Sequence, residues 1–223
     1  MFLYGQANDQ PDYNEIFGEQ YIEAQRYLNE NQWITTTLVR HKIDPCFAQS
    51  IIYPELIRYS CIKDKIEIQA LKTLYVQYGE KYADFSVGRF QIKPSFAEKL
   101  ETDLKKNTIF HSENELQKID TAQSVKARLE RIKRLESATW QLQYLMWFIM
   151  LSQERFNLAT MPDGEKLKFV ATAYNCGYNK PAKQIIEISK HNYFHTGIFS
   201  GKDFYNYSDI SLFYWRNCSH PSK

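Results

Sequence analysis

"DPCFAQSIIYPELIRYS", residues 44–60, decides how the chain folds. Ile51, Ile52, Leu56 and Ile57 suit a buried helix face, yet Pro54 interrupts them and a carboxylate, Glu55, follows at once. Residues 51–60 alone fit two readings. In one, a helix begins at Pro54, since proline lacks only an N–H that the first turn leaves unused, and Glu55 sits at the positive end. In the other, the helix is entered earlier and Glu55 lies near its far end. The upstream residues choose. Asp44 is a good N-cap and Pro45 a good first-turn residue, so the helix starts at Pro45. At ~1.5 Å per residue, Glu55 then falls roughly 15 Å along it, towards the C-terminal end.

Outward from this helix the helical period persists. Residues 13–31 place Ile16, Phe17, Tyr21, Ala24 and Leu28 on one face, and "QWITTTLVR" predicts a second helix. "KDKIEIQALKTLYVQYG" (63–79) is amphipathic, with Gly79 as its C-cap. "KYADFSVGRFQIKPS" alternates weakly around Gly88 and reads as a loop or short β-hairpin near residues 82–92. Pro94 opens another helix. A polar connection around 107–121 leads to a long helical tract, about 122–158; "EKLKFVATAYN" and "KPAKQIIEIS" then follow as helices. The tail from His191 reads as aromatic and irregular, packing back onto the body. The expectation is one mostly α-helical domain over 1–223 with a small β element.

Composition narrows the function. Net charge is +2, from 28 basic and 26 acidic residues, too balanced for a nucleic-acid binder. "KARLERIKRLE" (126–136) alternates sign and reads as a solvated helix face with an apolar seam. The longest apolar cluster, "YLMWFIML" (144–151), is too short to span a bilayer, and residues 1–15 lack the pattern of a secretory signal. Aromatics reach 15%, with 16 Tyr, which suits either an aromatic core or a groove for sugar rings. Cysteines at 46, 61, 176 and 218 form no CxxC pair; disulfides are permitted, and no structural metal site is read. His191 and His195 are one helical turn apart but lack an accompanying HExxH acid. Nothing in the sequence bears on oligomeric state.

Three segments, "DPCFAQSIIYPELIRYS", "DFSVGRFQIKPS" and "ATAYNCGYN", stand in an order that resembles the catalytic domain of lytic transglycosylases and goose-type lysozymes, over about residues 41–190. Residues 1–40 are then N-terminal helices and 191–223 the tail. The resemblance implies a lysozyme-like fold that cleaves the MurNAc–GlcNAc β-1,4 bond of peptidoglycan in the periplasm or cell envelope, with no cofactor. It maps the family's acid onto Glu55, a Ser-x-Gly-x-x-Gln stretch onto Ser86, Gly88 and Gln91, with Pro94 after it, and Ala-Tyr-Asn-x-Gly onto Ala173, Tyr174, Asn175 and Gly177. Leu56 stands where the family has Ser, Arg89-Phe90 where Leu-Met is typical, Cys176 where a small Ala is usual, and 99–160 is a long insertion. These departures mark a divergent branch.

Glycoside cleavage needs a proton for a poor leaving oxygen, so the acid must stay protonated near neutral pH. Burial against Ile51, Ile52 and tyrosines raises a carboxyl pKa, and the negative end of a helix acts the same way. Pro54 opens the helix ladder beside it. Arg58, three residues on, opposes this if it pairs with Glu55. Gly88 lets backbone approach a sugar, Gln91 offers donor and acceptor, Tyr174 stacks on a ring or bonds Glu55, and Asn175 holds the local turn. Asp84 is the possible second acid of an inverting hydrolase, or a turn residue bonding its own backbone. Without a second acid, Glu55 alone serves as acid and then base, giving 1,6-anhydro products. Two other classes compete: a non-catalytic glycan-binding module, and a helical scaffold whose 144–151 cluster faces a protein partner.

Overall fold

A computed structural model describes residues 11–60, 65–196 and 203–219. Cys61, the first residues read for a signal, and the start of the 63–79 segment lie outside them. The protein is mostly α-helical. The helices are α1 (Tyr13–Phe17), α2 (Glu19–Glu30), α3 (Gln32–Arg40), α4 (Pro45–Tyr59), α5 (Lys65–Tyr78), α6 (Pro94–Lys106), α7 (Asn114–Gln117), α8 (Val125–Glu136), α9 (Ala138–Phe156), α10 (Asp163–Cys176), α11 (Ala182–Ile188) and α12 (Tyr207–Ser219).

Helix α4 is the centre of the core. Asp44 accepts from the N–H groups of Cys46 (2.8 Å) and Phe47 (3.3 Å), with Pro45 in the first turn. From Ala48 to Ile57 every residue of α4 is buried, so this stretch of the helix has no solvent face. It is covered by α2, α3, α9, α10 and α12. Pro54 does not end it. The Tyr207 hydroxyl of α12 donates to the Ile51 carbonyl (2.8 Å), and the Tyr53 hydroxyl donates to that of Tyr21 (2.9 Å). A Cys46–Cys218 disulfide ties the start of α4 to the end of α12, with Cα atoms 5.9 Å apart.

Three expectations change. The 13–31 segment divides at Gly18, whose φ of +50° ends α1. The 122–158 tract is two helices, separated by extended Ser137 between α8 and α9. The tail is not irregular throughout, because α12 is a regular helix packed on α4 and α10. Near 82–92 a single antiparallel bridge, Val87 to Ile92, closes the loop. A second bridge pairs Phe194 with Tyr205.

The insertion supplies core rather than appendage. Residues 144–149 of α9 are all buried, as is Leu151, so the apolar cluster is not displayed to a partner. Beside it lies a buried polar network. Glu101 accepts from Arg131 (2.7 and 2.9 Å), Arg134 (3.0 Å) and the Tyr144 hydroxyl. Arg131 also donates to the Tyr75 hydroxyl (2.7 Å), which in turn donates to Glu98 (3.2 Å). The network joins α5, α6, α8 and α9 into one wall.

Candidate active site

Three elements meet around a cleft of about 600 Å³: the C-terminal part of α4, the 84–93 loop leading into α6, and the end of α10 with the turn after it. Glu55, Asp84, Ser86, Gln91, Tyr174 and Asn175 all line it. Segments far apart in sequence therefore converge on one cavity. Gly88 does not line it.

Glu55 is the centre of this arrangement. The residue is 4% exposed. One oxygen accepts from the Asn175 side-chain amide at 3.1 Å; the other has no hydrogen bond and lies 3.8 Å from the Arg58 guanidinium. Burial disfavours the charge. The partly exposed Arg58, then Asn175, then Lys93 favour it, but burial prevails and the pKa is pushed up to about 7. Arg58 does pair with Glu55, yet water around the arginine weakens what the pair returns. Burial first, and the Glu55 charge second, also hold the Tyr174 and Tyr207 hydroxyls well above their ordinary range, so both remain protonated.

The loop beside Glu55 is fastened on several sides. The Phe90 N–H donates to the Gln141 side chain (2.8 Å), and its carbonyl accepts from the Tyr174 hydroxyl (2.8 Å). Gly88 has φ +69°, and a Cβ there would fall 1.8 Å from the Gln141 amide nitrogen. Both the left-handed backbone and the packing of Gln141 against the loop favour glycine here. Gln91 takes φ +52° and donates from its side chain to the Gly88 carbonyl (2.7 Å). Left-handed backbone at a non-glycine residue costs on the order of 1–3 kcal/mol, and it occurs here in a residue facing the cleft. Arg89 lies over the rings of Tyr27 (4.4 Å) and Tyr59 (4.9 Å), which clamps the loop to α2 and α4.

The hydrogen bond foreseen for Tyr174 is made by its neighbour. Asn175, not Tyr174, bonds Glu55; Tyr174 pins the Phe90 carbonyl and packs edge-on to Phe96 and Phe148. Asp84 does not bond its own turn. It accepts from the Ser95 N–H at the start of α6 (3.3 Å) and lies 3.5 Å from Lys93. Cys176 carries a free thiol, half-buried on the cleft wall, raised in pKa chiefly by burial.

The α6 wall was missed. Ser95, Lys99, Thr102, Asp103 and Lys106 face the cleft at spacings of three and four, the signal of one helix face. Glu98 also lines it, its pKa raised by burial against the pull of Arg131 and Tyr75. Among the described residues, no group of three or more His, Cys, Asp or Glu could hold a metal ion. His191 bonds Glu187 (3.2 Å), and His195 packs near Phe204. No helix of the described residues is long and apolar enough to cross a membrane. No family model, curated protein or solved structure matches the chain.

Proposed function

We propose that this cleft cleaves peptidoglycan glycan strands as a lytic transglycosylase, with Glu55 as the single acid and base. The observation that carries the reading is the state of Glu55. It is buried, holds one hydrogen bond and has a pKa of about 7, so a large share stays protonated at neutral pH while remaining able to ionise.

Glu55 gives its proton to the oxygen linking MurNAc C1 to GlcNAc. The C1–O bond breaks, and an oxocarbenium-like centre develops at C1. The Glu55 carboxylate then takes the proton of the MurNAc C6 hydroxyl, whose oxygen bonds to C1. A 1,6-anhydro ring closes, Glu55 regains its proton, and no water is consumed. Asn175 orients the carboxyl, and Arg58 steadies its charged form between the two steps.

A lysozyme-type hydrolase using Asp84 as base is the second reading, because Asp84 lines the same cleft. Its engagement with Lys93 and the Ser95 N–H argues for anchoring α6 instead. The Cys46–Cys218 disulfide supports an oxidising compartment such as the periplasm or cell envelope. Mass spectrometry of fragments released from purified peptidoglycan tests the function. Anhydro-ended muropeptides are expected; intact peptidoglycan after prolonged incubation overturns the reading and favours a glycan-binding module.

A further inference from the structure

Most tyrosines serve the core: Tyr13, Tyr21, Tyr53, Tyr75, Tyr144, Tyr174, Tyr178, Tyr207 and Tyr214 are buried. Tyr78 and Tyr82 are the reverse, 61% and 68% exposed. Their rings nonetheless meet, with centroids 5.3 Å apart and planes inclined by 47°. Two aromatic rings held in water and gathered together need an explanation that core packing does not give.

The turn that carries them is built firmly. Gly79 ends α5 at φ +88°, its N–H donating to the Tyr75 carbonyl (2.7 Å), and the Tyr82 N–H returns to the Gly79 carbonyl (3.1 Å). Arg128, 8% exposed, donates to the carbonyls of Val76 (2.8 Å), Gln77 (2.8 Å) and Gln123 (2.9 Å) and so closes the end of α5 from beneath. The rings therefore project from a fixed base, which lowers the entropy lost when they take a ligand.

Position gives the occupant. Glu80, between the two tyrosines, and Asp84, two residues beyond them, both line the Glu55 cleft. The aromatic pair is not part of the lining, but it brackets Glu80 and stands two residues before Asp84 on the same turn, next to the cleft along the chain. A sugar ring has an apolar C–H face and a girdle of hydroxyls; it asks for an aromatic surface with acceptors beside it, and this turn has both.

We propose that Tyr78 and Tyr82 form an outlying saccharide subsite, which takes a sugar of a β-1,4-linked N-acetylhexosamine chain beyond those held at Glu55. The inference rests on reading the cleft as a glycan site. Its consequence is a preference for long chains over short ones. One residue of the strand stacks on the aromatic pair, and Glu80 accepts from its hydroxyls.

The test uses the full chain carrying Glu55→Gln, so that turnover does not interfere, with β-1,4-linked N-acetylglucosamine dimer and hexamer as probes in calorimetric titration. Tyr78→Ala with Tyr82→Ala should weaken the hexamer about tenfold and leave the dimer unchanged. Tyr78→Phe with Tyr82→Phe should restore the hexamer, since stacking needs no hydroxyl. Both positions are exposed, and an unchanged Tm confirms that the fold is kept. A hexamer bound equally by the alanine variant, or not bound by the parent, overturns the subsite. Peptidoglycan cleavage by the unmutated protein, measured separately, tells that failure from failure of the proposed function.

Discussion

Glu101 and Glu55 are buried almost to the same degree, and they are treated in opposite ways. Glu101, fully buried, receives hydrogen bonds from Arg131, Arg134 and Tyr144. Glu55 receives one, from Asn175, and a half-exposed arginine at 3.8 Å. An ion inside a protein is tolerated when its partners replace the water it lost. At Glu101 they do, and four helices are joined. At Glu55 they fall short, and the shortfall is stored as a proton held too tightly for an ordinary carboxyl. One site is fully partnered and still; the other is left short of partners.

The sharpest way to break this contrast is to remove an arginine from each site. Arg131→Met removes a fully buried charge that gives Glu101 two of its hydrogen bonds and Tyr75 one, and should cost about 3–5 kcal/mol of stability, read by denaturant unfolding. Arg58→Met should cost under about 1 kcal/mol, because its guanidinium is partly in water. Equal losses would mean that the two acids are not distinguished by compensation.

Next in size is an inverse effect at Glu55. Its folded pKa, about 7, stands above the ordinary 4.5. Between those values the folded chain binds more protons than the unfolded one, so stability falls as pH rises through the window. The penalty is absent below about pH 4.5, complete above about pH 7, and worth about 3 kcal/mol. Glu55→Gln should therefore raise Tm at pH 8 by roughly 6–12 °C and hardly alter it at pH 4. A variant less stable at pH 8 would show that the charged carboxylate is well accommodated.

Smaller shifts follow in the pH profile of turnover. Arg58 is the strongest influence holding the Glu55 pKa down, so Arg58→Met should move the alkaline limb to higher pH. A limb that stays or moves to lower pH would remove Arg58 from the account. Smallest of all, Asp84→Asn should retain most turnover and lose under about 1 kcal/mol, since its Lys93 and Ser95 contacts are exposed. Turnover lost with the fold intact would give Asp84 the role of base.

What was legible in the sequence divides along the same line. Short-range chemistry read well: Asp44-Pro45 starts α4, Gly79 ends α5, and Pro94 starts α6, because caps and prolines act within a turn. The convergence of Glu55, Gln91 and Asn175 was legible as motif order. Their bonding was not, since adjacent Tyr174 and Asn175 face different neighbours and only the folded chain assigns them. Gly88 was read for its freedom, which its φ of +69° uses, but the second demand, set by Gln141 some fifty residues away, was not legible. Helix α12 was hidden by its composition. Ser208 and Ser211 are buried in it, and its start is marked only by Asn206, whose side chain accepts from the Asp209 N–H (3.2 Å). The Glu101 network joins residues 75 to 144, and no local pattern announces such a set.

The most direct test of the central claim, that Glu55 alone moves the protons, is digestion of purified peptidoglycan in ¹⁸O-labelled water with mass analysis of the products. The unmutated protein should release fragments with 1,6-anhydro ends and no label, and Glu55→Gln should release at least ~100-fold less. Labelled reducing ends, or a Glu55→Gln protein as active as its parent, would contradict it.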